Sequence, residues 1–246
     1  MSQSVRGILF DLGDTLLDFG DVDVNREFEE GTRLAYDYLR KLGHPLPPFG
    51  RYHRTQLWAV RWYYFLSHLR GRDFNSLDLI GGLSNRMGHD LTHEQLIDLA
   101  SLWYEPVRRR ATMEPGTLDM LEQFTQQGVK LGLLSNTFIP SEVLDRHLQQ
   151  VGLLEFLPVR IYSCLSEYRK PHPSIFAEAA TAIDLPAESL LFVGDSLKAD
   201  VAGANRAGMI SVLKDPTGRR KHWRITPRHR ICRLTDLPSV LGQYMS

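Results

Sequence analysis

The sequence predicts an α/β protein built on a parallel sheet and interrupted, close to its start, by an all-helical insertion. Three observations carry that reading. A short apolar run at residues 5–10 stops at Asp11 and an acidic, Gly-containing loop, as a buried strand does when it delivers its end to a site. From Val22 to about Arg110 the apolar residues recur at helical spacing instead. After Pro115 and Gly116, short apolar runs alternate with helix-period segments, the pattern of βαβ units with a sheet covered on both faces.

Taken in order, the first strand is expected at 5–10. The helical block follows, with Trp58, Trp62, Phe65 or Leu66, and Leu69 as its periodic positions, and breaks at the HPLPPFG run and near Gly81 and Gly82. A helix then ends at Gly128, VKLGLLS forms the next strand, and a second helix begins near Ser141. Further strands are expected at 159–163, 190–193, 210–213 and 231–232, with helices from about Pro173 and Lys198. The resulting division is an α/β core of residues 1–17 and 112–246 around a helical domain of 18–111. At about 150 residues per domain, 246 residues correspond to roughly 1.6 domains, which suits one domain carrying an insertion.

Composition narrows the class. The 29 basic and 29 acidic side chains cancel, so no global field draws the chain to nucleic acid or to a membrane. Two cysteines, Cys164 and Cys232, are too few for a disulfide scaffold or a Cys-based zinc site. A reducing, cytoplasmic location is the natural expectation. The apolar start is broken by Arg6 and is much shorter than a signal-peptide core, so neither export nor membrane spanning is expected.

In open parallel sheets ligands sit beyond the carboxyl ends of the strands. Those ends carry Asp11, Gly13, Asp14 and Thr15 after the first strand, Ser135 and Asn136 after the second, and Asp195, Ser196 and Asp200 after the LLFV strand. Arg169, Lys170 and Pro171 precede a helix. A carboxylate nucleophile, a hydroxyl, an ammonium and further acids suit phosphoryl transfer through a covalent aspartyl intermediate, assisted by a hard cation. Carboxylates repel an incoming phosphate, so a divalent ion must screen them.

ILFDLGDTL, LLSNT, RKPHPSIF and LFVGDSLKAD, in that order, resemble the four motifs of the haloacid dehalogenase (HAD) superfamily. The segment PGTLDMLEQF also resembles that family's approach to its second motif. The resemblance implies a Rossmann-like HAD fold whose helical insertion is a C1-type cap. It further implies that Asp11 is the nucleophile, that Thr15 orients it, and that Ser135 and Lys170 bind the phosphoryl group beside Asn136. Asp195, Asp200, Asp11 and the backbone carbonyl of Gly13 are implied as Mg2+ ligands. The implied activity is a Mg2+-dependent hydrolase of a small phosphorylated metabolite.

One position departs from the family pattern. Most phosphatases of the family carry a second aspartate two residues after the nucleophile, where it protonates the leaving group; here that residue is Gly13. Asp14 follows, but an odd offset in an extended segment points to the opposite face. Loss of a general acid costs roughly 10² to 10⁴ in rate. A 2-haloacid dehalogenase, which needs no such acid, is therefore one alternative, and a catalytically weakened HAD-fold binding or regulatory protein is another. The pair Asp195 and Asp200 favours a metal site, and hence phosphate chemistry, over dehalogenation.

Two further clusters have plainer readings. Trp58, Trp62, Tyr63 and Tyr64 beside Arg51, Arg54 and Arg61 are expected to pack the insertion's core. Residues 216–235 hold Arg219, Arg220, Lys221, Arg224, Arg228, Arg230 and Arg233 with no acid, and are expected to form a solvated loop between the last strands.

Overall fold

The computed structural model describes residues 4–218, 220–221 and 224–244. Arg219 and His222 of the basic run lie outside the described residues. Six parallel strands form one sheet: β1 (Gly7–Phe10), β2 (Lys130–Ser135), β3 (Val159–Tyr162), β4 (Leu190–Gly194), β5 (Ile210–Lys214) and β6 (His229–Ile231), in the spatial order β3-β2-β1-β4-β5-β6. The chain lays β2 and β3 to one side of β1 and β4 to β6 to the other. The order therefore reverses between β1 and β4, which is where such sheets open a crevice for ligands.

Successive side chains on a strand point to opposite faces, and here both faces are dry. Ile8, Phe10, Leu133, Val193 and Val212 pack into one cluster with Leu121, Phe124, Leu144 and Leu148. The helices on that side are α5 (Thr117–Gln126), α6 (Ser141–Gln150) and α9 (Leu237–Leu241). Leu9, Leu134 and Phe192 pack into the other cluster with Ile175, Phe176, Ala179 and Ala204, from α7 (Pro173–Ala182) and α8 (Ala202–Arg206). One turn of π-helix, Leu197–Val201, leads from β4 into α8.

Between β1 and α5 stand α1 (Val24–Lys41), α2 (Phe49–Arg70), α3 (Ser76–Arg86) and α4 (His93–Arg108). Asp23 caps α1 by accepting the Asn25 and Arg26 amides, and Thr92 with Gln95 closes a capping box on α4. Asp18 and Thr112 exchange backbone hydrogen bonds of 2.8 Å each, tying the outgoing connection to the returning one. Gly31 lets α1 and α4 approach closely: a Cβ there would sit 2.6 Å from the Trp103 carbonyl oxygen. Among the described residues no helix is long and apolar enough to cross a membrane.

Two expectations for the insertion fail. Gly81 and Gly82 do not break a helix; they lie within α3, whose Leu77, Leu79, Ile80 and Leu83 are buried. The break at the HPLPPFG run holds, separating α1 from α2, and the later ones fall at Gly71 and Gly88, both in the left-handed conformation. The tryptophans do not form the insertion's core either: Trp58 is 68% exposed and Trp62 57%, and Phe65 and Leu69 are exposed with them. α2 turns Tyr52, Gln56 and Ser67 inward. The core of the insertion is made by Ala35, Leu39, Ile80, Leu99 and Trp103.

Candidate active site

The site grows from the reversal point of the sheet. The Asp11 amide donates to the Val193 carbonyl at 2.9 Å, extending the β1–β4 pairing one residue past the strand and fixing Asp11 beside the end of β4. Asp195 follows β4 directly. Asp200 is brought back to the strand by the π-turn, where its carboxylate accepts the Ser196 amide at 2.8 Å. That approach requires Gly194, because a Cβ there would fall 2.4 Å from the Asp200 carboxyl carbon.

Lys170 enters from the loop between β3 and α7. Its ammonium donates to Asp11 Oδ1 at 2.6 Å and lies 2.7 Å from Asp200 Oδ1, with almost no exposure to solvent. Asn136 fixes the lysine from the backbone side. Its side-chain oxygen accepts the Lys170 amide at 2.8 Å while its amide group donates to the Lys170 carbonyl at 2.9 Å.

Burial pushes the Asp11 carboxyl up to about 7 against the pull of Lys170, with Asp200 and Asp195 adding to the rise. For Lys170 burial works against the charge, but Asp11 and Asp200 outweigh it and raise the ammonium above the ordinary lysine value. Burial likewise raises Asp195. Each carboxylate is thus crowded by its neighbours, and Asp11 is held toward its ionised form by one buried cation.

Oxygen atoms of Asp11, Asp195 and Asp200 all lie within 4.8 Å of one another. Three hard carboxylate donors at this spacing fit a hard divalent cation such as Mg2+. Ser135, the last residue of β2, is buried, and its hydroxyl takes no hydrogen-bond partner among the described residues. The Thr15 hydroxyl is buried and is also without a partner there. Lys214 secures that turn instead, donating to the Thr15 carbonyl at 2.8 Å. Asp14 adopts the left-handed conformation (φ 54°), is exposed, and makes its charge felt at Asp195, Lys214 and Arg220.

Two features of the site escaped the sequence. Arg220 reaches back to donate to both the carboxylate and the carbonyl of Asp195, and Arg230 pairs with the buried Asp215. The segment expected to be a solvated loop is in part an ion-paired cover. The second feature is Asp73, between α2 and α3, whose buried carboxylate accepts the Ser163 hydroxyl at 2.5 Å and pairs with Arg169 at 3.0 Å. This latch joins the insertion to the residue before Lys170. Nothing local in the sequence signals either pairing, since each joins residues far apart in the chain.

Known proteins with similar sequences include the ribulose-1,5-bisphosphate 5-phosphatase of Halopiger xanaduensis, 27% identical over 119 residues, 48% of this chain and 49% of that protein. YigB of Escherichia coli, a 5-amino-6-(5-phospho-D-ribitylamino)uracil phosphatase, is 26% identical over 247 aligned residues, 96% of each chain. The chain spans about half the length of several curated relatives it matches, the Halopiger enzyme among them. Among solved structures, a HAD phosphatase from Thermococcus onnurineus shares the fold with a TM-score of 0.63 at 23% identity, covering 98% of this chain and 100% of that one. A 2-haloacid dehalogenase from Pseudomonas syringae does so with 0.66 at 22% identity, covering 98% and 99%. The sequence pattern of the haloacid dehalogenase-like hydrolases itself matches residues 5–208, through all the strand ends just described, and the chain belongs to that family.

Proposed function

We propose that this hydrolase is a phosphatase of small phosphorylated metabolites that works through an aspartyl-phosphate on Asp11 with Mg2+ as its cofactor. The observation that carries the reading is the Asp11–Lys170–Asp200 chain, closed by Asp195, at the reversal point of the sheet. Asp11, Asp195 and Asp200, with the Gly13 carbonyl, would hold the cation, whose chemistry there is to screen the carboxylates and polarise the phosphoryl oxygens.

Asp11 attacks phosphorus, the P–O bond to the leaving group breaks, and the departing oxygen takes a proton from water. Lys170 favours the ionised form of Asp11 and neutralises charge on the phosphoryl group, while the Ser135 hydroxyl donates to one of its oxygens. Water then cleaves the acyl phosphate and releases inorganic phosphate and Asp11. Asn136 acts by fixing Lys170. The helical insertion over residues 18–111 serves as the cap that excludes bulk water and selects substrate, latched through Asp73. With Gly13 in place of an acid, substrates with good leaving groups, such as sugar 1-phosphates and acyl phosphates, suit the site best.

The test is a screen of sugar phosphates, nucleotides, acyl phosphates and a haloacid with Mg2+, on the wild type and Asp11→Asn. Phosphate release that requires Mg2+ and disappears in Asp11→Asn is expected; Mg2+-dependent release that persists in the variant refutes the nucleophile. Gly13 supports a second reading, a HAD-fold binding protein with little turnover. Under it the whole panel stays unreacted while phosphorylated ligands still bind.

A further inference from the structure

Beside the catalytic cluster, between the start of α7 and the π-turn after β4, lies a cavity of about 460 Å³. That volume falls within the range of small-ligand pockets. Asn136, Lys170 and Ser196 are among its lining, and because the Lys170 ammonium pairs with Asp11, the cavity adjoins the cluster round Asp11. His68, Arg169, His172, Lys198 and Arg206 form the rest of its polar lining, which holds no aspartate or glutamate among the described residues.

The cations of this lining differ in how far they are already compensated. Arg169 is neutralised by Asp73 at 3.0 Å. Lys198 is exposed and has no carboxylate partner among the described residues. Arg206 spends only its Nε, on the carbonyl of Ala202 in its own helix, and its two terminal nitrogens face no acid among those residues. A concave surface with two uncompensated cations and no acid concentrates positive potential. The acidic cluster round Asp11 has the opposite sign, and Lys170 stands between the two.

We propose that this cavity is the subsite for a second anionic group, a phosphate or a carboxylate, of the substrate whose scissile phosphate lies at Asp11. Lys198 and Arg206 bind that group by charge-assisted hydrogen bonds, with Arg geometry suited to a bidentate contact. The inference rests on the phosphatase reading for the placement of the first phosphate and adds to it the substrate class: within the phosphate esters that reading allows, those carrying a second anionic group, bisphosphates or phosphorylated carboxylic acids.

The experiment measures binding, so that catalysis does not enter. In the Asp11→Asn background with Mg2+, titration calorimetry compares ribulose 1,5-bisphosphate with ribulose 5-phosphate, and 3-phosphoglycerate with glycerol 3-phosphate. At least one doubly anionic probe is expected to bind tenfold or more tightly than its partner. The Lys198→Ala/Arg206→Ala double substitution is expected to bring that preference down to twofold or less. Lys198→Arg should retain most of it, which a purely structural role for Lys198 would not require. Equal binding within each pair, or a preference that survives the double substitution, overturns the subsite. Turnover of p-nitrophenyl phosphate by the wild type is followed alongside. Turnover without a double-anion preference removes the subsite alone, and a preference without turnover removes the phosphatase reading alone.

Discussion

Gly13→Asp is the perturbation that tests most directly what this site lacks. Gly13 stands two residues past Asp11, the proposed nucleophile, outside the left-handed region, and a Cβ built on it meets only the Phe19 ring, at 3.7 Å. That is ordinary van der Waals contact, so the first carbon of an aspartate side chain enters without displacing anything. Replacing a glycine whose conformation the new residue can adopt stabilises by about 0.4–1 kcal/mol through the unfolded chain. Against this, a new carboxylate about 6 Å from one of the existing acids costs about 3 kcal/mol at an effective dielectric near 20. The variant is therefore expected to lose about 2 kcal/mol of stability without Mg2+ and to recover much of it when the ion is added.

The gain in rate should be larger than the loss in stability. A positioned general acid contributes roughly 10² to 10⁴, or about 3–5 kcal/mol of barrier. The benefit depends on the leaving group, because an alkoxide needs the proton and a nitrophenolate hardly does. The assay is kcat for glycerol 3-phosphate and for p-nitrophenyl phosphate with Mg2+, with urea unfolding to show that the variant is folded. A gain of at least a hundredfold on the alkyl phosphate and well under tenfold on the aryl phosphate is expected. A folded Gly13→Asp protein with no gain on either, or the same gain on both, would falsify the claim that the missing acid limits turnover.

Lys170→Met leaves Asp11 and Asp200 buried without their cation; removing one partner of a buried pair costs about 3–5 kcal/mol, so urea unfolding at pH 7.5 should reveal a loss of that size, easing as the pH falls and Asp11 protonates. A loss under 1 kcal/mol would contradict the pairing. His147 is buried against the Tyr104 hydroxyl at 2.9 Å, joining α6 to α4, and burial holds its pKa down at about 4 against an ordinary 6.5. The unfolded chain binds the proton first, so the stability of the wild type relative to His147→Gln should be level above pH 6.5 and decline by up to about 1.4 kcal/mol per pH unit from there to about 4. A difference independent of pH would exclude the buried neutral imidazole. Trp62→Ala should change stability by less than about 1 kcal/mol, whereas Trp103→Ala, which empties the core of the insertion, should cost about 3–5; equal costs would place the α2 tryptophans inside after all.

The contrast between those tryptophans marks where the sequence can and cannot be read. Strands were legible because β-branched and aliphatic runs ending in Asp11, Ser135 and Asp195 have one reading when both sheet faces must be dry. The site residues came with them, since a strand end fixes its own position. Helical spacing places Trp58, Trp62, Phe65 and Leu69 on one face of α2, but periodicity does not say whether that face turns inward. Here the inward residues, Tyr52, Gln56 and Ser67, are partly polar, so the usual inference from apolarity to burial is inverted. Gly81 and Gly82 mislead for a related reason: a glycine pair lowers helix propensity, and the buried leucines of α3 override it. Arg220 and Asp73 carried no local signal at all, because an ion pair is a property of two distant segments brought together.

Charge accounts for how these pieces work as one site. Among the described residues, Asp11, Asp195 and Asp200 are faced by two cations, Lys170 and Arg220, and a phosphate arriving at Asp11 would add further negative charge to a cluster already in deficit. Burial has raised both Asp11 and Asp195, and the repulsion from Asp200 adds to the rise at each. A divalent ion held by the three carboxylates would remove the deficit, and would compete with Arg220 for the Asp195 carboxylate. Lys198 and Arg206, which pair with no carboxylate among the described residues, lie in the cavity beyond Lys170 and not at Asp11. Two separated poles of this kind fit a ligand that is itself anionic at two ends, with the metal answering one end and Lys198 and Arg206 the other.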